Sequence, residues 1–282
     1  MCSSDLVQMS SCLKIAALAL VGVALAPPGN LQADTAPQSV SDIAAVLEHE
    51  KPDPKRVASL EEQLKKPEPA SNDTKQLGSY YVDQGMAYYG LGRTTAAIAS
   101  LEKAVATGAL KPADLNTARN YLSFNYRSIG DLNRAIAFDE QRIEDTKRDP
   151  QGNRRLPILY RSLIINVIGT GDIVRAEAVF EKLQASVREI STLSAASVVK
   201  TNYDAVQQDS RARVLEARGQ YRDAEAAFLK SAQLNQAVLD NLSRWPGNKP
   251  AAEGFITSRD SALAQARSEE HTSELQSRLH LV

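Results

Sequence analysis

The 282-residue chain has few side chains that do chemistry: two cysteines and three histidines. That scarcity excludes most zinc, haem and thiol-based sites. Neither sign of charge dominates, with 33 Lys+Arg against 34 Asp+Glu, so a charge-driven grip on nucleic acid or an anionic membrane is not expected. No apolar run reaches the roughly 20 residues of a membrane-spanning helix. The chain also lacks a glycine-rich phosphate loop, metal-ligand spacing and a nucleophile–base pairing. His49 lies between Glu48 and Glu50 on a polar helix end and reads as a solvated histidine. Glu140, Glu144 and Asp145 read as a solvated helix face. These absences imply no catalytic residue, no cofactor and no metal.

The two extremities read differently from the body. Lys14 precedes the apolar run Ile15–Ala26, the pattern of a secretory signal over 7–33, with Ala24-x-Ala26 as a small-residue cleavage site. A retained N-terminal anchor is the alternative. Export, to the periplasm or the exterior, and no stable membrane span after signal removal are the expectations. Cys12 precedes the apolar core, which disfavours a lipoprotein anchor. Arg267–Ser277, RSEEHTSELQS, resembles a translated sequencing-library adapter, as does Cys2–Leu6, CSSDL. Residues 1–6 and 267–282 are therefore set aside, and the gene is expected to continue past Ala266. The remaining body keeps His49 and Cys12, and its basic and acidic residues balance.

What is abundant is a spacing. Four times a glycine is followed five residues later by an alanine within helical hydrophobic periodicity: Gly92/Ala97, Gly130/Ala135, Gly171/Ala176 and Gly219/Ala224. A bulky apolar residue precedes each glycine by four positions: Tyr88, Tyr126, Val167 and Leu215. Nine positions after the glycines stand Leu101, Asp139, Phe180 and Phe228, where Asp139 departs from the pattern and Phe138 is its shifted match. The glycine suits a left-handed helix end, the alanine a close helix crossing, and the large residues the groove between helices. Together these positions resemble the tetratricopeptide repeat, a helix-turn-helix unit of about 34 residues. The first unit carries the most matches, with Tyr81 and Gly85 added to Tyr88, Gly92, Ala97, Leu101 and Ala104. The resemblance implies an all-α, right-handed superhelical solenoid. An ordinary helical bundle with glycine in its turns is the alternative.

Along the chain, 34–77 reads as N-terminal helices and a linker, with a short helix ending near His49 and a second opened by Asp53-Pro54. Four repeats fill 78–238, at about 78–109, 113–146, 157–190 and 205–238, with Lys147–Arg155 as a polar loop. Residues 239–266 form a linker, broken at Trp245–Pro250, and the start of a further helix. Trp245 is expected to pack against the last repeat.

In repeats of this kind the first helices line an inner groove. Counting from the glycines, its candidates are Val82, Met86, Tyr89, Asn120, Tyr121, Phe124, Arg127, Arg161, Ile165, Ile168, Asp209, Arg213 and Glu216. Of these, Tyr89, Asn120, Tyr121, Phe124, Arg127, Arg161 and Arg213 carry the expectation of binding a protein or peptide. Burial of Tyr121, Phe124 and Ile165 between repeats is the competing reading. Related repeats that clamp a C-terminal carboxylate use Lys, Arg and Asn where this chain has Val82, Met86, Tyr121, Ile158 and Ser162, so that function is not expected. Residues 41–266, including DIAAVLEHEKPDPKRVASLEEQL and RGQYRDAEAAF, also resemble the N-terminal arm of bacterial proteins with a caspase-like (CHAT) domain. That resemblance implies a Cys/His protease domain beyond Ala266.

Overall fold

The computed structural model describes residues 53–70, 73–149, 152–193, 197–242 and 249–279. The signal segment, the short helix expected up to His49, and Trp245 lie outside them. Among the described residues there are ten α-helices and no strand. None of these helices is long and apolar enough to cross a membrane.

Helix α1 (Pro54–Leu64) starts as an Asp-Pro pair dictates: Pro54 takes the first position, where no N–H is needed, and the Asp53 carboxylate accepts the Lys55 N–H at 2.9 Å. The array proper is four helix pairs: α2 (Thr74–Gly90) with α3 (Thr94–Ala106), α4 (Pro112–Ser128) with α5 (Leu132–Arg148), α6 (Leu156–Gly169) with α7 (Ile173–Leu193), and α8 (Ser197–Ala217) with α9 (Tyr221–Leu242). Helix α10 (Lys249–Leu279) follows. From α2 to α10 each helix packs on the next in sequence, α2 also touches α4, and α6 also touches α8. That pattern is a solenoid, in which a repeat buries its apolar faces against its neighbours.

The glycines make the turns. Gly92, Gly130, Gly171 and Gly219 have φ between 71° and 81°. The residue after three of them donates back across the helix end: Arg93 N–H to Tyr88 O, Asp131 to Tyr126 O, and Gln220 to Leu215 O, each at 2.9 Å. A left-handed residue inside a six-residue hydrogen-bonded closure satisfies the last carbonyls and reverses the chain. A side chain added at Gly130 meets no atom within 4 Å, so only backbone strain counts there. Gly130→Ala is expected to lower stability by about 1–2 kcal/mol, read by equilibrium urea unfolding.

Two of the second helices, α5 and α7, start with a side-chain cap, Asp131 accepting from Arg134 N–H at 3.1 Å and Asp172 from Arg175 N–H at 3.0 Å. Ala97, Ala135, Ala176 and Ala224 are fully buried. Each sits where the helices of its pair approach closely, and Gly85 opposite Leu101 leaves no room for a Cβ, which would lie 2.5 Å from Leu101 Cγ.

The core runs as three patches. Val82, Leu101, Leu122 and Tyr126 fill the first, Leu163, Ile164, Leu183 and Ile190 the second, and Phe228 the third, among alanines. Two expectations need correcting. Val82 faces this core and not the groove, because α4 covers that side of α2. Lys147–Arg155 is not all loop: α5 continues through Arg148, and Gly152–Arg155 is a turn of 3₁₀ helix. The far side of that turn is tied down by the Tyr203 hydroxyl, which donates to Arg154 O at 2.8 Å, and by Asn153, which donates to Glu189 at 2.7 Å. Helix α10 runs on past Ala266, and Ala262, Ala266 and Glu269 are buried on it.

Candidate partner-binding groove

Periodicity places one stripe of α2, α4, α6 and α8 on the same side of the array. Two features converge there. The first is an aromatic trio, in which Tyr89 and Tyr121 meet edge to face at 4.9 Å between centroids. Phe124 lies 6.5 Å from both rings. Tyr89 is 41% exposed, while Tyr121 and Phe124 are half-buried, and Tyr121 also packs against the first core patch. The competing expectation for Tyr121 is thus partly met, since one part of its surface fills the core and its ring edges the groove.

The second feature is a cavity of about 370 Å³ beside α4 and α6. Asn120, Phe124 and Arg127 line it from α4, Ile158, Arg161, Ser162 and Ile165 from α6, Arg142 from α5, and Arg213 from α8. Of the seven expected binding residues, the structure gathers Asn120, Phe124, Arg127, Arg161 and Arg213 around this space and places Tyr89 and Tyr121 in the adjoining trio. Met86 is half-buried at the first core patch, and Ile168 and Asp209 are turned toward packing.

The charges here are organised by two buried carboxylates. Asp209 accepts from Arg161 Nε at 2.5 Å and from Arg213 Nε at 3.1 Å. Burial pushes its pKa up, but the two guanidiniums outweigh that and hold it below the usual carboxylate value. Asp139 lies fully buried on α5. It accepts from Arg142 Nη1 at 3.3 Å, from Ser162 Oγ at 2.8 Å and from Asn166 Nδ2 at 2.7 Å. Burial keeps its pKa above the ordinary value in spite of these partners. The same burial lowers the pKa of Arg142, whose Nε donates to Asn116 at 3.1 Å.

Arg127 differs from the other three arginines. Its guanidinium lies over the Phe124 ring, 5.2 Å from the centroid. Burial, together with the like charges of Arg161 and Arg213, pushes its pKa down, with Asp139 and Tyr89 opposing.

Arg142 was outside the expected groove residues, and Ile158 and Ser162 were named only at terminus-clamping positions, without a binding role. Arg142 comes from a second helix, whereas the expectation drew on first helices alone. Its signal in the sequence is Asp139 three positions earlier, the spacing of an ion pair on one helix face.

Residues 78–106 match the tetratricopeptide repeat family. No curated protein matches the chain. Among solved structures, the chain is similar to a Podosopora anserina protein described as a kinesin light chain with nearly identical TPR-like repeats. The identity is 17% and the TM-score 0.48, over 68% of this chain and 88% of that one. A singly substituted form of the same protein aligns at 18% identity and TM-score 0.46, over 67% of this chain and 87% of that one. Repeats of this family generally mediate protein–protein interaction. The matched unit is the α2–α3 pair, so residues 78–106 are similar to a tetratricopeptide repeat, and the same left-handed glycine and buried crossing alanine recur in α4–α5, α6–α7 and α8–α9.

Proposed function

We propose that the protein is a non-catalytic, exported scaffold whose inner groove seats a peptide or helix of a partner protein. The observation that carries this reading is the aromatic trio of Tyr89, Tyr121 and Phe124, still partly exposed and opening onto a cavity lined by arginines. Aromatic and arginine side chains offer large rigid contact area with a polar handle, the usual composition of binding hot spots. A fold typically without catalysis fits the binding role.

Immobilised full chain should retain a partner that the Tyr121→Ala/Phe124→Ala variant does not, with both proteins showing the same cooperative unfolding. Retention by the folded variant would overturn the groove assignment. Export rests on Lys14 and the Ile15–Ala26 run. It is tested by the N-terminal sequence of the protein recovered outside the cytoplasm, expected to begin after Ala26 or, with cleavage at the end of the 7–33 segment, after Ala33.

A second reading, the substrate-recruiting arm of a caspase-like protease, rests on the sequence resemblance over 41–266. It requires a Cys/His domain encoded beyond Ala266, which sequencing the source gene would reveal.

A further inference from the structure

The groove cavity holds more positive charge than its own carboxylates compensate. Four guanidiniums reach it, from Arg127, Arg142, Arg161 and Arg213. Asp139 pairs with Arg142, and the single carboxylate of Asp209 is shared by Arg161 and Arg213. Both aspartates are buried and held by hydrogen bonds, so neither is free to swing toward Arg127. Arg127 forms no ion pair among the described residues; its guanidinium stacks on the Phe124 face, and Asp139 acts on it without pairing. It is a half-buried cation flanked by like charges, the situation an entering anion relieves.

We propose that this cavity is a subsite for the carboxylate side chain of an aspartate or glutamate in an extended segment of the partner, an inference that rests on the groove reading above. Arg127 supplies the unpaired fork, and Arg161 and Arg213 are held in place beside it by Asp209. The adjoining Tyr89–Tyr121–Phe124 surface takes an apolar residue next to that acid. A side chain is favoured over a chain terminus by the residues at the terminus-clamping positions. Val82 is buried there, and the Ser162 hydroxyl is committed to Asp139.

The test uses the full chain and three peptides: acetylated, amidated Gly-Leu-Glu-Glu-Leu-Gly, the same capped peptide with Gln for both Glu, and the Gln peptide with a free C-terminal carboxylate. Binding is followed on the arginine Nε–Hε NMR signals. The Glu peptide is expected to shift the Arg127, Arg161 and Arg213 signals saturably and to bind about tenfold or more tightly than the capped Gln peptide. Arg127→Gln should remove about that same factor, while its thermal midpoint holds or rises because an unpaired desolvated charge is gone. Equal binding of the Glu and capped Gln peptides overturns the proposal, as does binding of the free-terminus peptide alone, or no saturable shift at millimolar Glu peptide. The peptide comparison requires no variant and decides the matter even if Arg127→Gln fails to fold. If partner capture survives Tyr121→Ala/Phe124→Ala, the groove reading itself fails. If capture needs those aromatics but ignores Arg127→Gln and the Glu-to-Gln exchange, only the carboxylate subsite fails.

Discussion

Replacing Asp139 by alanine is expected to lower stability by about 3–5 kcal/mol, measured by equilibrium urea unfolding of the full chain. The reason lies in what the carboxylate leaves behind. Arg142, only 7% exposed, keeps its charge and loses its counter-ion. At the junction of the second and third repeats the Ser162 hydroxyl loses its acceptor, and the Asn166 amide keeps only the longer bond to Ser123 Oγ at 3.2 Å. Asn166 already has a buried Oδ1 that no donor reaches, so the network is short of one hydrogen bond before the change and further loss adds to that. An unpaired buried cation costs more than the intact pair contributes, which sets the sign and the size of the effect. The companion variant Asp139→Leu/Arg142→Met separates charge from hydrogen bonding. It removes both ions and should recover part of the loss, but not all of it, because Ser162 remains without its acceptor and Asn166 keeps only its bond to Ser123. A loss below about 1 kcal/mol for Asp139→Ala would show that water replaces the carboxylate and that the junction is not sealed.

Asp139 also shows where sequence reasoning stops. Glycine and alanine spacing was legible because both residues answer to local geometry, a positive φ at one and a close helix crossing at the other. At the position nine residues past Gly130, the chain has an aspartate, and apolar patterning reads that as a slip in favour of Phe138. The register does not slip. Asp139 occupies the buried position, and Phe138 stacks on Tyr126 at 5.9 Å instead. What licenses an aspartate there is Ser162 and Asn166, more than twenty residues downstream, and no local period carries that information. Val82 failed for the same kind of reason. Its helical face was correct by period, but which faces are covered depends on the next first helix, α4. The groove arginines Arg127, Arg161 and Arg213 were legible as a stripe. Which of them is already paired was not, since Asp209 reaches Arg161 across 48 residues of sequence.

Phe228→Ala is expected to cost about 3–5 kcal/mol, with the loss confined to one end of the array. The ring is fully buried, and the patch around it is made largely of alanines: Ala212, Ala224, Ala227, Ala232, Ala262 and Ala266. Alanines have no rotamers with which to fill a void, so apart from Leu215 and Leu263 at its margin the cavity closes by moving helices, and the upper part of that range is the expectation. The ring also lies 5.7 Å beneath the Arg213 guanidinium, so the change reaches the groove; Asp209 still holds that arginine. Phe228→Leu keeps most of the volume and should cost less than about 1.5 kcal/mol. Because each repeat contacts only its neighbours, hydrogen exchange in Phe228→Ala should accelerate in α8, α9 and α10 while α2 and α3 keep their protection. Uniform acceleration from α2 to α9 would instead mean that the array unfolds as one cooperative body. The shared Asp139 junction would then couple its halves more tightly than nearest-neighbour packing does, and Asp139→Ala should localise the Phe228→Ala effect when the two are combined.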